Sequence, residues 1–352
     1  MRILVTGGAG FVGSNLSILL RRQGDHEVSA FDNLRRRGGE LALPRLVDAG
    51  VGFHHGDIRN PEDLAAVGRF DLLIECSAEP SVQAGYGESP EYLINTNLVG
   101  TIHCLEAARR AEADVVFLST SRVYPIAALR GLPLERRGDR LELPADASGP
   151  GWSPAGISTE LPLEGSRSMY GATKLCSELL IEEYRAMYGL RAVVNRCGVL
   201  SGPWQMGKVD QGFFVLWLAR HLYGGELAYV GFGGEGHQVR DVLHVDDLFR
   251  LLSIQIADLE AHDGRVYNVG GGAERSVSLR ELTTLCEDRL GVSISIGSRP
   301  ETHPADVPYY VTDNTAVTAA TGWRPEADLE RLVDDVASWL RCHQDLLEGI
   351  LG

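Results

Sequence analysis

The chain has 352 residues, 44% of them apolar, which allows a sizeable core and more than one minimal domain. Its formal charge of −15 argues against nucleic acid or an anionic membrane as partner, since both select basic surfaces, so an anionic ligand must meet locally placed arginines. No apolar stretch approaches the ~20 residues that span a bilayer, and no basic-then-apolar leader precedes the first motif, so a cytoplasmic protein is expected. The six cysteines, Cys76, Cys104, Cys176, Cys197, Cys286 and Cys342, form no Cys-x-x-Cys pair and have no histidine at ligand spacing. Reduced thiols are expected, and no structural metal site.

Residues 2–6 are a short apolar run of the kind a buried parallel strand needs, and Gly7, Gly8, Gly10 and Gly13 follow before a helical pattern over 14–22. Glycines at this spacing permit positive φ and let the backbone approach a pyrophosphate. The N–H groups at the helix start, Phe11, Val12 and Gly13, then face the phosphates. A second strand over 27–31 ends at Asp32, about twenty residues past the glycines, where a carboxylate chelates ribose hydroxyls and repels a 2′-phosphate. NAD is therefore expected rather than NADP, although Arg35, Arg36 and Arg37 could accommodate an extra phosphate; the polar, basic segment 33–39 reads as a loop over the adenosine, with Asn33 and Arg35 on the cofactor, or equally as a solvated loop.

Residues 51–55 read as a third strand leading to Gly56-Asp57-Ile58, where Asp57 can accept from an adenine amino group and Ile58 can pack on the ring, or Asp57 is an ordinary turn residue. The fourth strand, 71–78, ends in Ser77 and Ala78, small enough for a cofactor to come close. A helix over 91–111 carries Asn95 and Asn97, and a fifth strand over 115–118 runs into Ser119-Thr120-Ser121-Arg122. Strands alternating with helices predict an α/β fold, a doubly wound parallel sheet of Rossmann type with ligands at the carboxyl ends of its strands.

Residues 125–166 contain six prolines and little periodicity, which fits an ordered lid better than a disordered insert. A helix over 168–188 follows and then a sixth strand, 191–194. The aromatic stretch 203–225 marks a departure from the sheet into a smaller C-terminal lobe. Residues 241–252 read as a returning strand and a helix capped at Asp246 or Asp247, with a further strand at 266–269 and helices at 278–290 and from 329 onward. The expected domains are 1–202 with 237–271 for the cofactor, and 203–236 with 272–352 for substrate.

Tyr170 and Lys174 fall one helical turn apart on one face, and an ammonium there lowers the phenol toward a working range. Tyr170 can then remove a hydroxyl proton as hydride leaves the same carbon, with Thr120 orienting the oxygen.

With Gly7, Gly10, Gly13, Asp32, Asp57, Asn97, Thr120, Tyr170 and Lys174 in place, the whole chain resembles the extended short-chain dehydrogenase/reductase family of nucleotide-sugar epimerases and dehydratases. The resemblance implies that Asn97 touches the cofactor, and that the helices bearing Asn97 and Tyr170 pair across a homodimer interface. It also assigns Arg240, in Gln238-Val239-Arg240-Asp241, to a substrate diphosphate, and Arg299 with Asp306 to the nucleoside. Arg240 could instead form a buried ion pair with its neighbour Asp241.

In the family's dehydratases an Asp-Glu pair follows the strand-five threonine, whereas this chain has Ser121-Arg122; uridine-linked 4-epimerases carry Arg-x-x-Asn where it has Arg196-Cys197-Gly198-Val199. The resemblance places Ser119 and Cys197 on the cofactor, and Thr120, Ser121 and Arg122 on the substrate. Asp210-Gln211-Gly212 and Gly236 to His244 resemble the branch that inverts carbon 2 of CDP-linked deoxysugars. A CDP-sugar is therefore the favoured substrate, bound in part by Gln211. Epimerisation at carbon 4 and net oxidation of a nucleotide sugar are the alternatives.

Overall fold

The structure is a computed structural model, and it describes residues 1–24, 26–207 and 211–351. In chain order the first half comprises β1 (Arg2–Thr6), α1 (Phe11–Gln23), β2 (Glu27–Asp32), α2 (Ala42–Asp48), β3 (Gly52–His55), α3 (Pro61–Ala65), β4 (Leu72–Glu75), α4 (Glu91–Ile94), α5 (Gly100–Ala111) and β5 (Asp114–Thr120). Then come α6 (Ile126–Arg130), β6 (Glu135–Arg137), β7 (Arg140–Glu142), β8 (Trp152–Ser153), β9 (Gly156–Ile157), α7 (Met169–Tyr188) and β10 (Ala192–Cys197). The remainder is β11 (Val199–Ser201), α8 (Phe213–Tyr223), β12 (Leu227–Val230), β13 (Val239–His244), α9 (Val245–Ala257), α10 (Leu259–His262), β14 (Val266–Val269), β15 (Ser276–Ser278), α11 (Leu279–Leu290), β16 (Ile296–Arg299), β17 (Tyr309–Tyr310), α12 (Thr315–Thr321), α13 (Leu329–Cys342) and α14 (Gln344–Leu351).

Seven strands form one sheet in the order β14-β10-β5-β4-β1-β2-β3, parallel at β1–β2, β2–β3, β1–β4 and β4–β5. The central strands β1, β4 and β5 are near-continuous apolar runs, as strands buried on both faces are. Leu4, Phe31, Leu73, Val115 and Phe117 share one core with Leu64 and with Leu105 and Ala108 of α5. The chain winds one way from β1 to β3 and the other way from β4 onward, so the switch point lies where Thr6 stands opposite Glu75. In open α/β sheets that is where a ligand binds.

Two compact units divide the chain. The first is Met1–Val123, Ser168–Arg196 and Leu248–Tyr267; the second is Tyr124–Arg167, Cys197–Asp247 and Asn268–Gly352. This differs from the expected boundaries at 202 and at 237–271. The strand expected to return to the main sheet, β13, pairs instead with β11, β15 and β17 in the second unit, so its residues belong there. The segment 125–166 also joins the second unit and carries more structure than its prolines suggested: α6 and the hairpins β6–β7 and β8–β9. It is tied down by Leu141 N–H to the His237 carbonyl and by Ile157 N–H to the Val311 carbonyl.

Two helices differ in detail from the periodicity. The stretch 91–111 is helical throughout but contains a π turn, Asn95–Val99, between α4 and α5. Asp247 lies in the first turn of α9, yet its Oδ2 accepts from the Glu326 and Ala327 amides at 3.0 Å, so it holds a distant loop. No helix among the described residues is long and apolar enough to cross a membrane.

Candidate active site

The first unit builds the cofactor side. Gly7 has φ +65°, and a Cβ at Gly13 would lie 2.2 Å from the Gly7 carbonyl oxygen, so glycine is needed for the turn and for helix-on-strand packing. Gly10 is different: only that same oxygen, at 3.1 Å, lies near its missing Cβ, which leaves the approach open. Gly10 caps α1 without a side-chain bond, the first turn holds no acidic residue, and the first backbone bond back is from Ser14 N–H to the Gly10 carbonyl. The amides of Phe11, Val12 and Gly13 thus form an anion cradle. Asp32 ends β2 beside it, its oxygens accepting from Ala9 N–H at 3.1 Å and Leu34 N–H at 2.8 Å. Burial pushes the Asp32 carboxyl above its ordinary value, opposed by these and neighbouring amides. Lone pairs remain for ribose hydroxyls, so the residues present fit a dinucleotide. Gly13→Ala should weaken NAD binding at least about tenfold, since a ~1.4 kcal/mol loss is tenfold, and calorimetric titration that finds wild-type affinity would show the turn tolerates a Cβ.

The residues around it depart from expectation in part. Asn33 Nδ2 donates to Asp57 at 2.9 Å, and the Arg59 guanidinium grips Asp57 through two bonds, holding its carboxyl well below the usual range. Arg35 stacks its guanidinium 4.1 Å from the centre of the Tyr92 ring. Ile58 is 5% exposed and packs where a Cβ on Gly100 would strike it, so most of its side chain belongs to the core. Ser77 is buried after β4 and Ala78 half-buried. Asn97 spends its side-chain amide on the Glu79 backbone, accepting from N–H at 2.7 Å and donating to the carbonyl at 3.0 Å. Its own carbonyl, in the π turn, accepts from Thr101 Oγ1 at 2.7 Å and from Ser177 Oγ of α7 at 3.3 Å. This asparagine therefore braces the loop after β4 and the catalytic helix.

Thr120 ends β5, with Oγ1 accepting from Arg122 N–H at 3.2 Å in a tight turn through Ser121. Helix α7 starts at the Ser168 cap, which accepts from Gly171 N–H. A Cβ on Gly171 would lie 2.0 Å from the Arg122 carbonyl oxygen, so only glycine lets the helix begin against that turn. That contact brings half-buried Tyr170 to the strand end bearing Thr120. Lys174 follows one turn on, fully buried, with Nζ 3.9 Å from the Phe117 ring centre and 3.4 Å from Glu75 Oε2.

The Ser119 hydroxyl donates to Glu178 of α7, and Arg196 of β10 binds the same carboxylate at 2.7–3.2 Å, so Ser119 also ties strand to helix. Sequence reasoning saw neither this buried set nor the Glu75 contact, because no local spacing links residues 59 and 99 positions apart.

In the second unit Arg240 and Asp306 come together at 3.0 Å, and Arg240 also donates to the Val307 and Val239 carbonyls. The anticipated alternative partner, Asp241, is instead fully buried and accepts from Gly272 and Thr312 amides; burial pushes its carboxyl up. Arg130, unnoticed in the sequence, donates to the Asp306 and His303 carbonyls and shapes the same loop. Arg299 is exposed at the end of β16, Cys197 is buried at the end of β10, and Gln211 is half-buried; Asp210 lies outside the described residues.

Residues 3–270 match the family described as "NAD dependent epimerase/dehydratase family". The chain is 30% identical over 96% of its length to CDP-paratose 2-epimerase of Salmonella typhi, covering 99% of that protein. Among solved structures it resembles the dTDP-glucose 4,6-dehydratase DesIV of Streptomyces venezuelae, determined with NAD and TYD bound, at TM-score 0.80 and 28% identity over 99% of this chain and 100% of that one. It also resembles UDP-glucose 4-epimerase of Thermotoga maritima, determined with UDP-glucose, at TM-score 0.77 and 26% identity over 98% and 100%.

Proposed function

Since the chain belongs to the NAD-dependent epimerase/dehydratase family, we propose that it is a nucleotide-sugar epimerase that inverts carbon 2 of a CDP-linked deoxysugar of the paratose or tyvelose type. The observation that carries this reading is the turn after β5. It follows Thr120 and packs against the start of α7, the helix that carries Tyr170, but reads Ser121-Arg122, without the acid–base pair that elimination of water needs. Similarity along nearly the whole chain to a CDP-paratose 2-epimerase supports the sugar and the carbon.

NAD, when bound, would supply a reversible hydride acceptor beside the sugar carbon. The cradle of Phe11, Val12 and Gly13 holds the pyrophosphate, and Asp32 accepts from the adenosine ribose. Thr120 orients the substrate hydroxyl, and Tyr170 removes its proton as the carbon–hydrogen bond breaks, leaving a ketone. After the sugar turns over, Tyr170 returns the proton to the oxygen when the other face is reduced. Arg240 has the fork geometry for a diphosphate, with Asp306 holding it in aim until substrate arrives. Arg122, Ser121, Gln211 and Arg299 complete the substrate set. A homodimer through α4–α5 and α7 accords with Leu179, Met187 and Tyr188 standing exposed on α7.

Turnover of CDP-paratose or CDP-tyvelose in deuterated water tests the proposal. Hydride return keeps the original hydrogen, so the inverted product should carry no solvent deuterium at carbon 2 and the solution no accumulating reduced nicotinamide. Deuterium at that carbon would overturn the mechanism. Inversion of a different nucleotide sugar, at carbon 4 for instance, would overturn the substrate alone.

A further inference from the structure

Glu75 stands at the switch point of the sheet, last residue of β4 and opposite Thr6 of β1. Its side chain and that of Lys174 are each 1% exposed, and their charged atoms are 3.4 Å apart. Neither ion has water to solvate it, and a buried charge is tolerated only when paired. Along α7, Tyr170 stands one turn before Lys174 and Glu178 one turn after it, the latter already paired with Arg196 of β10. Phe117 of β5 presents its ring to the ammonium, Thr6 and Ser77 are hydroxyls, and burial pushes the Cys104 thiol of α5 well up, which keeps it neutral. Burial likewise pushes the Glu75 carboxyl up, and the Lys174 ammonium opposes that.

We propose that Glu75 is a positioning residue for Lys174, its carboxylate holding the ammonium charged and in place at the ends of β4 and β5. The inference rests on the reading of Tyr170 and Lys174 as the reactive pair. A neutral amine could neither favour the Tyr170 phenolate nor act as a cationic donor to a cofactor ribose. With a glutamine at position 75, the ammonium loses its counter-ion but keeps a neighbour of the same shape.

The chain has only two lysines, Lys174 and Lys208, among 33 basic residues, which makes the test direct. With isotope-labelled lysine and Lys208→Arg as the background, one side-chain resonance remains. It should shift in Glu75→Gln, which removes the carboxylate 3.4 Å from the ammonium. NAD affinity, measured by calorimetry, should fall at least about tenfold in Glu75→Gln. An unchanged resonance together with an unchanged affinity would overturn the proposal.

Should Glu75→Gln fail to fold, Lys174→Met and the double variant Lys174→Met/Glu75→Gln decide. The single variant leaves a lone buried carboxylate and should melt below the double; the reverse order overturns the pairing. Failure of the unaltered chain to bind NAD would reject the site reading instead, while the resonance and melting order still judge the pairing.

Discussion

Tyr170→Phe should lower kcat by about 10²–10⁴-fold, the usual contribution of a positioned acid–base group, while NAD affinity and thermal stability stay at wild-type levels. Only a hydroxyl is removed, from a half-buried side chain in the first turn of α7. The ring still fills its space, and the Ser168 cap and the Gly171 contact that set the helix start are untouched. Steady-state kinetics alongside calorimetric NAD titration separates the outcomes. A Tyr170→Phe enzyme turning over at the native rate would take the proton transfer away from this residue. Loss of NAD binding together with activity would assign it a structural task.

The second large effect belongs to a residue remote from the motifs. Glu178→Ala should destabilise the first unit by about 3–5 kcal/mol, the range seen when one partner of a buried ion pair is removed. Arg196 is 6% exposed, and its Nε and Nη2 lose the carboxylate they bind at 2.7–3.2 Å, while Ser119 loses its acceptor. Glu178→Gln, which keeps the hydrogen-bonding shape without the charge, should lose less. Replacing both partners, Glu178→Leu with Arg196→Met, should recover much of the deficit because no lone charge remains. Urea unfolding followed by circular dichroism measures the series, and a Glu178→Ala midpoint equal to that of the native chain would show the pair to be dispensable.

What the sequence disclosed follows from how far apart the cooperating residues are. The glycine turn, Asp32 at the end of β2, and Tyr170 with Lys174 are set by spacing within one strand–turn–helix or one helical turn, and periodicity reads such spacing directly. Strand β13 was located but assigned to the wrong sheet, because an apolar strand does not announce its neighbours. Ile58 shows the same limit: an isoleucine beside a motif aspartate can face a ligand or a core, and only the approach of Gly100 decides. The π turn was invisible, since Asn-Thr-Asn-Leu-Val carries no composition that distinguishes it from an α-helical turn. The Glu75–Lys174 contact and Arg130's hold on the loop carrying Asp306 join residues 99 and 176 positions apart, where no pattern in one sequence can reach.

The 2.0 Å clearance at Gly171 bears on how one scaffold changes its reaction. The contact is with a main-chain oxygen of residue 122, so the docking of α7 on the turn does not depend on which side chains residues 121 and 122 display. Those two positions act as interchangeable tooling on a fixed jig. The serine and arginine found here display their side chains from that turn, while the seat of the helix is made by the main chain. Chemistry displayed from this turn can thus be altered side chain by side chain while the main-chain seat of α7 stays as it is.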